Sequence, residues 1–154
     1  MKYLNLLIGI LLIFSFSHLD AQLVKAADGF YYSDNGELYN GVYYKLYDNG
    51  NRRIEMSISD GQQDGLTKIY YRNGQLSEVR SFKTGLKDGT WEEYTQDGQK
   101  TAVANYTRNK KDGVWKIWDE SGNLRYEMHY TKGNKTGTWK MWDEEGALVQ
   151  ETEY

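Results

Sequence analysis

The side chains that could perform catalysis are few in this chain of 154 residues, which contains two histidines and no cysteine. The absence of cysteine excludes thiol nucleophiles, thiolate metal sites and disulfide frameworks. His18 lies in an apolar N-terminal segment, and His129 lies in a predicted β-strand. The residues 24 positions before and after it, Asn105 and Glu153, are expected two strands away, at about 9.6 Å. That distance is too long for a nucleophile, a base and an orienting group to act together.

Carboxylates offer no better catalytic site. Glu92 and Glu93 are flanked by aromatic residues, but adjacent strand residues point to opposite faces, whereas glycoside hydrolysis needs two carboxyl groups that converge across a cleft. The acidic run 119–122 could bind calcium weakly, yet the EF-hand pattern and the phosphate-binding GxxxxGK[ST] loop are both absent from the sequence. We therefore predict a protein that is not an enzyme, with no catalytic residues, no metal site and no cofactor.

The net charge of −3 predicts no strong attraction to nucleic acid. The N-terminus has the pattern of a signal peptide: Lys2, then an apolar stretch from Leu4 to Phe16, then a polar run to Ala21. A retained membrane anchor is the alternative, but this stretch is shorter than the roughly 20 residues that span a bilayer. We predict that residues 1–21 are removed, with Ala26 or Ala27 as other cleavage points, and that the protein is exported to the periplasm or the extracellular space.

A repeat of 24 residues without insertions begins at Gly41. Such self-similarity is the signature of a repeat array. Residues 22–40 are predicted to be a linker and a shortened capping repeat, with Gly36 in its turn. The array itself is predicted to comprise residues 41–64, 65–88, 89–112, 113–136 and 137–154. Glycines recur in three columns of the repeat: Gly41, Gly65, Gly89, Gly113 and Gly137; Gly50, Gly74, Gly98, Gly122 and Gly146; and Gly61, Gly85 and Gly133, where Asn109 completes the third column.

Each repeat has the spacing of a β-hairpin: an aromatic-rich strand, a turn with glycine at its left-handed position, and a returning strand. The third glycine column also predicts positive φ, because asparagine is the residue that best substitutes for glycine there. Connecting segments such as 130–137 are expected to join one hairpin to the next. We therefore predict an all-β fold: an elongated, single-layer antiparallel meander of tandem hairpins, with ten strands extending over about 48 Å.

Aromatic residues fill three columns of the repeat, and most are predicted to form the core. The first two columns, which include Trp115 and Trp118, are three residues apart, which places them on opposite faces unless a bulge intervenes. The turn edge is expected to be acidic and the connecting edge moderately basic. A partner is predicted to contact exposed aromatic residues or the basic edge, with these candidates: Trp118, Trp142, Tyr94, Tyr70, Lys110, Lys111, Lys132 and Lys135.

The pattern G-x-W-x-x-[YW]-x-x-x-G-x-L at residues 89–100 (with lysine in place of the leucine), 113–124 and 137–148 resembles the bacterial variant of the MORN repeat. This resemblance covers about residues 27–154 and implies successive hairpins in one extended sheet. It also implies two roles: an antitoxin or immunity protein of a toxin–antitoxin pair, or a scaffold for proteins and membranes. We expect an exported, non-catalytic scaffold with a protein partner. The two alternatives are a toxin-neutralising role and association with a membrane surface or a glycan.

Overall fold

The computed structural model describes residues 23–154, so the predicted signal peptide, residues 1–21, lies outside the described residues. The described chain is all-β, as predicted. Its strands are β1 (Val24–Lys25), β2 (Tyr31–Tyr32), β3 (Gly41–Leu46), β4 (Arg52–Ser59), β5 (Gln62–Tyr70), β6 (Leu76–Lys83), β7 (Leu86–Lys87), β8 (Gly89–Tyr94), β9 (Lys100–Thr107), β10 (Lys110–Lys111), β11 (Gly113–Trp118), β12 (Leu124–Thr131), β13 (Asn134–Trp142) and β14 (Leu148–Glu153). None of residues 23–154 belongs to a helix that could cross a membrane.

Strands β3 to β14 form one long antiparallel sheet in which neighbours in the chain are neighbours in the sheet. Ten strands lie on this path, and the two-residue strands β7 and β10 extend the hairpins made by β6 and β9. The predicted meander of tandem hairpins is therefore confirmed. No second layer covers the sheet in the described part of the chain, and few side chains there are buried: Met56, Ile58, Thr67 and Tyr130.

The turn within each hairpin is short, and the N–H of its glycine forms one of the two hydrogen bonds that close it. In the fourth repeat, the Gly122 N–H donates to the Asp119 carbonyl at 3.0 Å, and the Asp119 N–H donates to the Asn123 carbonyl at 3.0 Å. Gly122 has a φ of 86°, which is the left-handed conformation predicted for this column. The same pair of hydrogen bonds recurs in every repeat of the array.

The connections between hairpins differ from the prediction, because they are hairpins themselves. Segment 130–137 was expected to be a linker, but Thr131 and Asn134 pair across a turn that contains only Lys132 and Gly133. Both turn residues have positive φ, 50° and 94°, which is the requirement of a type I′ turn, and this turn twists in the same sense as the strands. Asn109 has a φ of 66°, so the predicted positive φ of the third glycine column is confirmed.

Residues 23–40 fold as a separate small unit at the beginning of the array. Strands β1 and β2 pair with each other and do not extend the long sheet. This unit is attached to the first connecting turn, where the Tyr31 N–H donates to the Gly61 carbonyl at 2.8 Å and the Gly61 N–H donates to the Tyr39 carbonyl at 2.9 Å. A side chain at position 61 would collide with Leu38, whose Cδ2 lies 2.6 Å from the position of a Cβ. The capping role of this unit remains a prediction.

The bulge beside each turn lies in the returning strand, so it does not change the faces of the two aromatic columns in the outgoing strand. Ile117 pairs with Tyr126, but Trp118 pairs with Leu124, so Arg125 is an extra residue in the returning strand. Because the outgoing strand β11 keeps its regular alternation, Trp115 and Trp118 lie on opposite faces. The same shift occurs in the four other hairpins of the sheet.

Candidate functional site

One face of the sheet carries a continuous row of seven aromatic rings, and we call it the stack face. Successive rings come alternately from a returning strand and from the next outgoing strand, so each contact joins two strands. Ring centroids along the row are 4.8 to 5.4 Å apart, and the rings are tilted relative to one another, a geometry that aromatic pairs favour. The row comprises Phe82, Trp91, Tyr106, Trp115, Tyr130, Trp139 and Tyr154.

Each tryptophan of this row is fixed by a hydrogen bond to the preceding repeat. The indole N–H groups of Trp91, Trp115 and Trp139 donate to backbone carbonyls ten residues earlier, each at 3.0 Å. The acceptors are Ser81, Asn105 and His129. A half-buried indole therefore has its polar atom satisfied while its ring packs against two neighbours. This arrangement makes the row an integral part of the sheet, as the sequence predicted for the core columns.

Three lysines lie against the aromatic row at the connecting edge. The Lys111 ammonium is 4.2 Å from the centroid of the Trp115 ring and 4.7 Å from that of the Tyr130 ring. Lys87 and Lys135 occupy the equivalent positions in the neighbouring repeats. These are cation–π distances. Lys111 and Lys135, both predicted to bind a partner, are thus engaged within the fold.

The other face carries cross-strand pairs of lysine and glutamate, and we call it the ladder face. Its pairs are Lys68 with Glu55, Lys100 with Glu92, Lys116 with Glu127, and Lys140 with Glu151. A hydrogen bond from Lys100 lowers the pKa of Glu92, and one from Lys116 lowers the pKa of Glu127. These charges neutralise one another across the strands, and Val79 and Val103 lie in the same row of this face.

The potential catalytic residues lie on this sheet without forming a catalytic set. His129 lies on the ladder face, where its Nε2 is 3.4 Å from Glu127 Oε1. The neighbouring Lys116 Nζ is 3.0 Å from Glu127 Oε2, so this carboxylate is shared between a lysine and the histidine. Glu92 and Glu93 lie on opposite faces, as predicted, because consecutive residues of β8 alternate. Among residues 23–154, no three acidic or histidine side chains converge as a metal site.

The eight predicted partner-binding residues do not form one surface. Tyr70, Tyr94, Trp118 and Trp142 line the ladder face beside the turn edge and are half-buried. The Tyr94 hydroxyl donates to Glu92 at 2.8 Å, and burial together with this carboxylate raises the pKa of Tyr94. At the connecting edge, Lys110, Lys132 and Lys135 are exposed. Lys111 and Lys135 also lie against the rings of the stack face.

Sequence reasoning missed two hollows in the stack face. The first, which we call the alanine hollow, has a volume of about 290 Å³, with Trp91, Tyr106 and Trp115 on one side and Ala102 and Ala104 among its lining residues. It exists because the third repeat has two alanines where the fourth repeat has Tyr126 and Met128. A second hollow of about 210 Å³ includes those two residues together with Trp139, Met141 and Tyr154. Small residues in two otherwise bulky columns were the sequence signal that could have located the first hollow.

Comparison with known families identifies the repeat. Segments 63–84, 111–132 and 135–154 match the family model described as MORN repeat variant. Their first residues are separated by 48 and 24 positions, which are multiples of the period found in the sequence. No curated protein matches the chain significantly.

Proposed function

Because three segments of this chain match the MORN repeat variant, we propose that the protein is an exported, non-catalytic scaffold that binds a protein partner on its stack face. The observation that carries this proposal is an apolar face with two hollows on a single-layer sheet. Because no second layer covers that face in the described residues, apolar side chains remain accessible along it. Ile117 and Tyr126, for example, are 39% and 40% exposed. Contiguous apolar surface of this kind is typical of protein interaction sites.

The two faces of the sheet differ in polarity at the middle of the hairpins. At the middle of the hairpins, a cross-strand row on the stack face contains six apolar residues, with Glu78 and Glu93 between the second and the third. The six are Ile54, Ile69, Ala102, Ile117, Tyr126 and Met141. The corresponding row of the ladder face holds three lysine–glutamate pairs and Glu92, with Val79 and Val103 on either side of Glu92. A partner that covered the ladder face would have to desolvate those ion pairs, which costs free energy. A partner that covered the apolar side chains of the stack face would release water from apolar surface, which is favourable. The stack face is therefore the better surface for a partner.

Variants on the two faces test this assignment by capture of the partner from the producing cells. Ile117→Arg places a charge on the stack face, and the double variant Trp118→Ala, Trp142→Ala removes the predicted rings of the ladder face. We expect Ile117→Arg to abolish capture while the double variant retains it, with folding of both checked by circular dichroism. Capture that survives Ile117→Arg and is lost in the double variant would refute the stack-face assignment and would support the residues predicted from the sequence.

Export is supported by the apolar segment from Leu4 to Phe16 and the small residue Ala21 that follows it. Fractionation of the producing cells, followed by N-terminal sequencing, tests it. We expect the mature chain to begin at Gln22 and to be recovered outside the cytoplasm. A chain that retains Met1, or that is recovered in the cytoplasm, would contradict the proposal.

An antitoxin or immunity role is the special case in which the bound partner is a toxin. Co-expression with the captured partner tests this case through growth. Growth that is inhibited by the partner alone and restored by this protein would establish it, whereas a partner without effect on growth would exclude it.

A further inference from the structure

We propose that the alanine hollow of the stack face binds a lysine or arginine side chain of the protein partner. This inference rests on the proposed function and specifies the chemistry of the contact. The hollow combines an apolar wall and an acidic rim, which together match the aliphatic stem and the charged head of a basic side chain.

The apolar part of the hollow is formed by the third and fourth repeats. Trp115 and Ile117 on β11 lie beside Ala102 and Ala104 on β9, where Ile117 pairs directly with Ala102. The volume of about 290 Å³ results from the small side chains of the two alanines. A methylene chain that enters this space would contact Trp115 on one side and the alanine methyl groups on the other. Such contacts stabilise a complex by removing apolar surface from water.

The acidic part of the hollow arises from an unfavourable pairing within the sheet. Glu78 on β6 and Glu93 on β8 are direct cross-strand partners on the stack face, and like charges at such positions destabilise a sheet. They interrupt a row that is otherwise apolar on both sides, since Ile69 precedes them and Ala102 follows them. Such a pairing is unexpected in a repeat whose other positions favour the fold, unless a cation compensates it.

The protein compensates one of these two carboxylates. Arg80 donates to Glu78 from its Nε at 2.7 Å, while its guanidinium lies 5.2 Å from the centroid of the Trp91 ring. Glu93 forms no ion pair with any residue in 23–154, and it is exposed at the margin of the hollow. An adjoining depression of about 340 Å³ brings in Glu120, which adds a third acidic group on the same side. The local charge is therefore negative where the apolar wall ends.

Selection of random twelve-residue peptides on the immobilised protein tests this inference. We expect the selected peptides to share one lysine or arginine beside apolar residues. Replacing Glu93 with glutamine should weaken the binding of those peptides about tenfold, the change that corresponds to 1.4 kcal/mol. The matched control is Glu151→Gln, which removes a glutamate of the ladder face and should leave the affinity unchanged.

Filling the hollow distinguishes failure of this inference from failure of the proposed function. Ala104→Phe should abolish peptide binding, and Ala102→Leu serves as a second filling variant if the first has an altered circular dichroism spectrum. The selected peptides could lack a shared basic residue and bind Glu93→Gln normally, yet fail to bind the filling variants. That result would refute the recognition of a basic side chain but would leave the stack face as the binding surface. Peptides that bind the filling variants and Ile117→Arg normally, or a selection that yields no peptide, would overturn both.

Discussion

Replacing Trp115 with alanine tests how strongly the aromatic row holds the repeats together. The ring lies at the centre of the row, with centroid distances of 5.2 Å to Tyr106 and 5.4 Å to Tyr130. Large-to-small substitution of a buried aromatic residue costs about 3 to 5 kcal/mol, and a half-buried ring should lose about half of that. Loss of the indole hydrogen bond leaves the Asn105 carbonyl without this donor and adds about 1 kcal/mol. We therefore expect the free energy of unfolding to fall by about 3 kcal/mol.

The matched control is Trp118→Ala, in the same strand but on the ladder face. Within the described residues, Trp118 has neither a ring partner nor an indole hydrogen bond, so its loss should cost about 1 kcal/mol, the typical effect of a single substitution. Trp115→Phe keeps the ring contacts and should also cost about 1 kcal/mol, mainly from the lost hydrogen bond. Urea unfolding followed by far-ultraviolet circular dichroism measures all three variants. Equal losses for the two alanine variants would refute the role of the aromatic row.

Three further predictions concern the backbone and the ladder face. Gly89→Ala should destabilise the fold by at least about 1 kcal/mol more than Gly98→Ala in urea unfolding. Both glycines have positive φ, so the backbone strain of the two variants is similar. A Cβ at position 89 would lie 2.9 Å from a neighbouring serine, whereas one at position 98 would meet nothing within 4 Å. Equal losses for the two variants would contradict this reasoning. Thr84→Asn should raise the melting temperature by relieving about 1 kcal/mol of strain, since threonine at a φ of 47° is unfavourable and asparagine before glycine suits a type I′ turn; a lower melting temperature would contradict it. The Lys100 hydrogen bond lowers the pKa of Glu92 below 4.5, so it stabilises the fold above that pH, and this stabilisation is lost as the pH falls. Lys100→Met should therefore show a shallower loss of stability below pH 4.5 in urea titrations, and an unchanged slope would exclude the contribution of this pair.

The hairpin array could be predicted from the sequence because its signals repeat in phase. Glycines at fixed positions specify the turns, and their φ values, 83° at Gly50 for example, agree with that prediction. The connecting turns were predicted wrongly as linkers. Residues such as Thr84 and Lys132 do not indicate positive φ by type, so only the glycine that follows each of them was recognised in the sequence.

The candidate site was less predictable because it depends on which strands are adjacent. Trp118 and Trp142 were favoured for their position beside the turns, whereas the hollows are formed by residues from different repeats. The pairing of Glu78 with Glu93 crosses a connection between two repeats, so neither repeat reveals it alone. A signal was present in the alanines at 102 and 104, but its meaning requires the cross-strand register.

Site-specific photo-crosslinking in the producing cells tests the central claim that a protein partner binds the stack face. A photoreactive phenylalanine analogue at Ile117 would point from the stack face, and the same residue at Lys116, its neighbour on β11, would point from the ladder face. Because the two positions are adjacent, they share expression, export and local stability. We predict one discrete crosslinked product from position 117 and none from position 116. A product from position 116 alone, equal products from both positions, or none from either would contradict the claim.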